Sequence, residues 1–224
     1  MIRAALVSIA LIFSLQSAFA QFGPVRYPIM AEDGRPVHNQ RILPDRAEAA
    51  EKLPGAIVAA GPKGDVTIVE FYDLNCPFCR RASADVDAML KADPKLRLVL
   101  VPFPVLGLPS VLAGRVEIAV SKMLPPQDFY RFHRALYAGR GVIDGQRALA
   151  AAADFKLDQQ KIVDAANDDG ITEIMKAHLR FANTLDLKAT PAYLIHDVAI
   201  QGHPGRKALT DVVRSVRACG KAAC

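Results

Sequence analysis

The chain has 224 residues, of which 51% are hydrophobic and 23% charged, and its formal net charge is +5 at pH 7. This length and apolar content are sufficient for one globular domain with a sizeable core, with room for an appendage. Lys and Arg form no clustered run, so the mild basicity indicates no nucleic-acid partner.

Residues 1–20 have the pattern of a secretory signal peptide. Arg3 supplies the positive charge, residues 4–15 form an apolar run that is short for a bilayer span, and residues 18–20 (Ala-Phe-Ala) form a small-residue cleavage site. No cysteine follows that site, which disfavours a lipoprotein anchor, and no later stretch is long and apolar enough to cross a membrane. The sequence therefore predicts export to the periplasm, where disulfides form and persist.

Residues 21–55 are predicted to form an N-terminal extension. Alternating apolar residues at 25, 27 and 29, a turn at Asp33-Gly34 and a second strand opening at Val37 favour a β-hairpin. Asp45 and Glu48 have the N-cap and N3 spacing of a short helix. Whether this extension packs on its own domain or on another subunit stays open.

A buried strand and a cysteine pair form the centre of the chain. Residues 66–72 are a β-branched and aromatic run, typical of a buried strand, and Cys76 and Cys79 follow as C-x-x-C at the start of a helical pattern. Pro77 suits the first helical turn because it needs no N–H donor there. Cys76 would cap the helix, where the helix dipole lowers a thiol pKa, and Cys79 would be the buried resolving thiol.

The remaining elements indicate an α/β fold with a helical insertion. Residues 56–60 are a candidate edge strand, and residues 96–103 are a second apolar strand, which completes a right-handed βαβ unit with the strand at 66–72. Helices are predicted at 109–123, 126–138, 144–155, 158–167 and 171–186, with a break at Gly170. A hairpin of strands 192–195 and 198–201 and a helix over 206–218 end the chain. This order is that of a thioredoxin fold carrying a helical domain.

Three segments resemble the DsbA-like thiol:disulfide oxidoreductases. Residues 70–79 (EFYDLNCPFC) look like that family's active-site strand and helix start, and residues 189–195 (ATPAYLI) like its cis-proline loop. Residues 103–113 (FPVLG, then SVLA) look like the subgroup that includes ScsC and Com1. The resemblance implies a thioredoxin-like domain at 56–108 and 187–224, with the helical insertion at 109–186.

The resemblance also implies roles for particular residues. Glu70 stands where the family's buried acidic residue falls, and such a carboxyl near Cys79 could exchange a proton with it. The Thr190–Pro191 bond is implied to be cis, to face the cysteine pair and to present backbone groups to a substrate. Pro77 and Phe78 belong to the same substrate-binding surface.

Two residues differ from those of the strongly oxidising family members, and they bear on whether the protein oxidises or reduces its substrates. Phe78 stands where those members have a histidine, so Cys76 should be less acidic than in those members. Thr190 is more similar to the residue that precedes cis-proline in isomerases and reductases. Both features favour an enzyme that is less oxidising than those members.

No metal or cofactor is predicted. A zinc site needs two further ligands beside Cys76 and Cys79, and the five histidines have no ligand spacing with one another. We interpret them as surface or locally hydrogen-bonded residues. The remaining cysteines, Cys219 and Cys224, are close enough in sequence to pair with each other as a structural disulfide after export.

The leading hypothesis is an exported thiol:disulfide oxidoreductase that exchanges disulfides with protein thiols and has a membrane redox partner. A disulfide isomerase or reductase of the same fold is the first alternative. A non-catalytic copper-binding or chaperone module is the second, because thiolates are soft ligands. The net direction, the substrates and the oligomeric state stay open.

Overall fold

The computed structural model describes residues 26–224, so the predicted signal peptide lies outside the described residues. Six strands form one mixed sheet in the order β1-β6-β5-β3-β4-β2. The strands are β1 Asn39–Arg41, β2 Ile57–Ala60, β3 Val66–Tyr72, β4 Leu96–Pro102, β5 Ala192–Ile195 and β6 Val198–Gln201. The helices are α1 Pro44–Glu51, α2 Pro77–Ala92, α3 Leu108–Ser121, α4 Pro126–Ala138, α5 Gly145–Ala153, α6 Gln159–Asn167, α7 Asp169–Thr184 and α8 Arg206–Cys219.

The central strand β3 is buried on both faces of the sheet. It runs parallel to β4 and antiparallel to β5. Because successive strand side chains point to opposite faces, Ile68 and Tyr72 join a core with α2, α8 and the helices after β4. Val69 and Phe71 join the opposite core with α1 and α7. This double burial explains the continuous apolar run seen in the sequence.

The predicted α/β fold with a helical insertion is confirmed. Helices α3 to α7 lie between β4 and β5, as expected, and their ends agree with the predicted ends to within two residues. The predicted break at Gly170 is displaced to Asp168, which ends α6 and caps α7 by accepting a hydrogen bond from the Gly170 N–H at 2.7 Å. Gly170 therefore lies inside the first turn of α7.

The N-terminal extension packs on its own domain, and its predicted hairpin is wrong in part. The turn at Asp33-Gly34 forms, with Gly34 at φ 79°, but only one isolated bridge, Met30 to Pro36, follows it. The bridge has both of its hydrogen bonds, from the Ala31 N–H to the Arg35 carbonyl and from the Val37 N–H to the Ile29 carbonyl. The pairing stops there because the Ile29 N–H donates to the Tyr27 carbonyl at 2.9 Å. The strand begins later, at Asn39, and joins the edge of the main sheet beside β6.

Two side chains attach this extension to the sheet and to α8. Asn39 exchanges two hydrogen bonds with the backbone of Tyr27, at 2.8 and 3.0 Å. Glu32 accepts a hydrogen bond from the Lys207 N–H at 2.6 Å, where the N-terminus of α8 has unpaired donors. The predicted N-cap at Asp45 is wrong: the N-cap is Leu43, two residues earlier, α1 begins at Pro44, and Asp45 lies in the first turn.

Candidate active site

Cys76 and Cys79 lie at the start of α2, as the sequence predicts. Cys76 is the N-cap of the helix and Pro77 is at its first position. Both cysteines are free thiols and both are buried, with 4% of Cys76 and 1% of Cys79 exposed. Cys76 is therefore largely covered, and it is the more exposed of the two cysteines.

The environment stabilises the thiolate of Cys76 and not that of Cys79. A hydrogen bond from the Cys79 thiol is the largest cause that lowers the pKa of Cys76, to about 5. The Thr190 side chain and the N–H groups of Phe78 and Cys79 add to this effect, while burial opposes it. Burial raises the pKa of Cys79 far above its usual range. At neutral pH one sulfur is thus an anion and its partner keeps a proton.

The loop before β5 faces this pair. The Thr190–Pro191 peptide bond is cis, and the Cys76 Sγ lies 3.1 Å from the Thr190 carbonyl oxygen, to which its thiol form donates. Thr190 and Pro191 are both buried, and the Pro191 carbonyl accepts a hydrogen bond from the Gly202 N–H at 2.8 Å. The fold therefore brings together two segments that are more than a hundred residues apart.

Glu70 lies in β3 beneath α2. It is 5% exposed and stands between Leu100 of β4 and Tyr193 of β5 in the sheet. Burial, with a smaller contribution from the charge of Cys76, raises the pKa of its carboxyl to about 8. In turn, the charge of Glu70 contributes to the raised pKa of Cys79. A carboxyl in this state can hold a proton near neutral pH.

Apolar side chains surround the mouth of the site. Phe78 is 53% exposed, and the Arg81 guanidinium lies over its ring at 4.7 Å. Further exposed large apolar residues follow on the neighbouring loops: Val105, Leu106, Leu108 and Val142. A set of this size beside a reactive group is typical of a surface that contacts another polypeptide.

Asp73 holds one of these loops, a role that sequence reasoning missed. Its buried carboxylate accepts hydrogen bonds from the N–H groups of Val105 and Leu106, both at 2.8 Å, and from the Ser110 hydroxyl at 2.7 Å. The only signal in the sequence was an acidic residue directly after a strand. Because the two N–H groups point inward to Asp73, the loop presents its side chains outward.

Asn75 and Arg80 hold a second loop, residues 139–143. Asn75 donates to the Ile143 carbonyl and accepts from the Ile143 N–H, both at 2.8 Å. Arg80 donates to the carbonyls of Tyr137 and Gly139. Arg80 is half-buried, and its guanidinium binds the end of α4.

Cys219 and Cys224 form a disulfide with a Cα–Cα distance of 6.2 Å. It lies away from the site, since Arg217 in the same helix binds Asp65 at the start of β3 at 2.7 Å, whereas Cys76 follows the end of that strand. Within residues 26–224, no three His, Cys, Asp or Glu side chains are grouped closely enough to hold a metal ion. No helix in this part of the chain is long and apolar enough to cross a membrane.

Comparison with known proteins places this chain in a family. The thioredoxin family model matches residues 53–214. A thioredoxin-like oxidoreductase from Silicibacter pomeroyi DSS-3 is 32% identical over 75% of this chain and 98% of its own, with a TM-score of 0.69. A comparison with curated proteins returned no match.

Two structures of lower identity share the fold. They are the thiol-disulfide exchange protein alpha-DsbA2 from Wolbachia pipientis (18% identity, 77% and 95% of the two chains covered, TM-score 0.68) and the catalytic domain of Proteus mirabilis ScsC (20%, 79% and 99%, TM-score 0.67). The predicted resemblance in fold to DsbA-like proteins is therefore confirmed. This chain belongs to the thioredoxin family.

Proposed function

We propose that the protein is an exported thiol:disulfide oxidoreductase that exchanges disulfides with protein thiols through Cys76 and Cys79. The observation that carries this proposal is the difference in pKa between the two cysteines. Cys76 lies at a helix N-terminus against the cis Thr190–Pro191 loop, and its thiolate is stabilised there. Cys79 lies behind it and keeps its proton. Thiolate character at one sulfur and a proton on its partner are what the two steps of thiol–disulfide exchange need.

In the reductive direction, the Cys76 thiolate attacks a client disulfide and forms a mixed disulfide, and one client sulfur leaves as a thiolate. Cys79 then loses its proton to the Glu70 carboxylate and attacks the Cys76 sulfur. The client departs as a dithiol once solvent has protonated its sulfurs, and the Cys76–Cys79 disulfide remains. In the oxidative direction every step runs backwards, and Glu70 returns the proton to the departing Cys79.

Glu70 suits this role because its environment keeps its proton affinity high. Its carboxyl pKa of about 8 lies nearer to that of an ordinary thiol than a solvent-exposed carboxyl would. A proton acceptor works best when its pKa lies near the operating pH. The burial that raises its pKa is imposed by β3, which is covered on both faces of the sheet.

The client is a polypeptide in this proposal. The Thr190 backbone beside Cys76 offers hydrogen-bonding groups to an extended segment, as in strand addition. Phe78 and the exposed side chains of the 105–108 loop offer apolar contacts around the cysteine. We place the protein in the periplasm, on the basis of the signal sequence at 1–20, with a membrane redox partner that resets the cysteine pair.

The test is catalysis of insulin reduction by dithiothreitol, together with refolding of scrambled ribonuclease. We expect activity from the wild type and its loss in Cys76→Ser. Cys79→Ser should accumulate a mixed disulfide at Cys76. Iodoacetamide at neutral pH should alkylate Cys76 before Cys79. Wild-type protein without activity in either assay, or first alkylation at Cys79, would contradict the proposal.

A further inference from the structure

The proton that Glu70 takes from Cys79 must leave the protein, and the structure contains a hydrogen-bonded chain suited to carry it. Glu70 and Tyr193 are directly paired across strands β3 and β5, so their side chains are neighbours on one face of the sheet. The Tyr193 hydroxyl lies 2.9 Å from His203 Nδ1. His203 Nε2 lies 2.8 Å from Asp85 Oδ2 on α2.

Exposure rises in steps along this chain. Tyr193 is fully buried, the His203 side chain is 12% exposed and the Asp85 side chain is 39% exposed. His203 also lines a cavity of about 190 Å³ that opens on the outer side, between Arg35, His38 and Pro204. The chain therefore leads from the interior near Glu70 to solvent.

We propose that Tyr193, His203 and Asp85 form a proton relay between Glu70 and solvent, which serves the step in which Cys79 changes its protonation state. This inference rests on the proposed function. In this proposal the three residues exchange protons only with Glu70, with one another and with solvent, so they are relay residues and not catalytic ones.

The relay uses one tautomer of His203. In that tautomer Nδ1 accepts a hydrogen bond from the Tyr193 hydroxyl and the Nε2–H donates to Asp85. When Cys79 has given its proton to Glu70, Glu70 passes one to the Tyr193 oxygen as Tyr193 gives its own to Nδ1. His203 gives the Nε2 proton to Asp85, and water removes it there. One proton enters and one leaves, and the reverse sequence serves the oxidative direction.

The first transfer needs a bridge. Among the described residues, Glu70 and the Tyr193 hydroxyl share no direct hydrogen bond, so the proposed relay includes a bridging water molecule between them. The charge of Glu70 contributes to the raised pKa of Tyr193, after burial, and the charges of Cys79 and Asp85 contribute less. These groups, with Cys76 and the cavity residues Arg35 and His38, are the charged and titratable neighbours of the relay.

A second buried tyrosine, Tyr130 on α4, provides the comparison. The charge of Glu70 contributes to its raised pKa, after burial and the charge of Asp87. Within residues 26–224, no hydrogen bond joins the Tyr130 hydroxyl to Glu70 or to Asp87, whose partner is Arg134 at 2.6 Å. We therefore assign the relay to Tyr193 and use Tyr130→Phe as the matched variant, since it removes one tyrosine hydroxyl near Glu70.

The experiment follows reduced protein as it reacts with Ellman's reagent. Attack by Cys76 releases the first thionitrobenzoate, and attack by Cys79 on the mixed disulfide releases the second. We expect Tyr193→Phe and His203→Gln to leave the first phase unchanged and to slow the second about tenfold, below the ~10²–10⁴ of a positioned acid or base. Glutamine can keep both hydrogen bonds but cannot pass a proton through a ring. The solvent deuterium isotope effect on the second phase should grow in both variants.

A chemical rescue separates proton transfer from structure. His203→Ala leaves space beside the cavity, and added imidazole should restore its second phase while leaving Tyr193→Phe slow. The relay is overturned if both substitutions leave the second phase and its isotope effect at wild-type values, if imidazole restores nothing, or if Tyr130→Phe alone causes the slowing. Wild-type protein that releases only one thionitrobenzoate for each Cys76–Cys79 pair refutes the proposed function, and the relay with it.

Discussion

Replacing Cys79 with alanine should raise the pKa of Cys76 by one to two units. The hydrogen bond from the Cys79 thiol is the largest cause that lowers the Cys76 pKa to about 5. A hydrogen bond to a charged group contributes roughly 1.5–3 kcal/mol, and one pKa unit corresponds to about 1.36 kcal/mol. The expected pKa in the variant is therefore roughly 6 to 7, since alanine keeps the backbone N–H groups of the helix start.

Cys79→Ser is the control, because its hydroxyl can donate to the Cys76 thiolate as the thiol does. The measurement is the rate of iodoacetamide alkylation of Cys76 against pH, supported by the ultraviolet absorbance of the thiolate. The serine variant should keep a pKa near that of the wild type. If the alanine variant also stays near 5, the helix N-terminus and Thr190 stabilise the thiolate without help from Cys79, and the reasoning is refuted.

Four further predictions follow from the same contacts. In the reduced protein the raised Glu70 pKa makes unfolding easier as pH rises towards 8, whereas the lowered Cys76 pKa makes it harder as pH rises from 5 to 9. The two effects oppose each other between pH 5 and 8. Glu70→Gln removes the first effect, so the free energy of unfolding of this variant in urea should rise with pH over that range by up to ~1.4 kcal/mol per pH unit. A free energy of unfolding that does not change with pH would contradict this. Phe78→His should lower the Cys76 pKa and make the pair more oxidising in a glutathione series, by ~30 mV for every 1.4 kcal/mol; unchanged values would shift attention to Thr190. The double variant Cys219→Ser with Cys224→Ser should lose about 2 kcal/mol of stability, the loop-closure entropy of so short a ring, and leave the exchange rates of Cys76 unchanged. Asp73→Asn should cost about 1–3 kcal/mol in urea unfolding, because two loop N–H groups lose an ionised acceptor, while Ser110→Ala should cost less; equal losses would argue against this account.

Local patterns in the chain were sufficient for the elements that carry the site. The apolar run at 66–72 and the helical spacing after Cys76 are set by neighbours within one element, where side-chain period and burial coincide. The helices between β4 and β5 were predicted for the same reason. The capping of α1 was not, because Pro44 competes with Asp45 for the start of that helix and either pattern is locally plausible.

Contacts between distant segments were beyond the reach of such patterns. A single side chain such as Asp73, Asn75 or Arg80 carries no periodic signal, and its partners lie 30 to 70 residues further along the chain. The same holds for His203, whose link to Tyr193 and Asp85 depends on the packing of β5 against α2.

The chain's own residues thus specify a reactive cysteine pair at the start of a helix, because a strand, a turn and a helix N-terminus are local properties. How reactive the pair is depends on the folded molecule. The burial of Glu70 beneath α2, the Thr190 carbonyl at 3.1 Å from Cys76 and the inner position of Cys79 all arise when the sheet closes around β3. Desolvation and hydrogen bonding set the proton affinities of these groups, and both exist only in the packed fold.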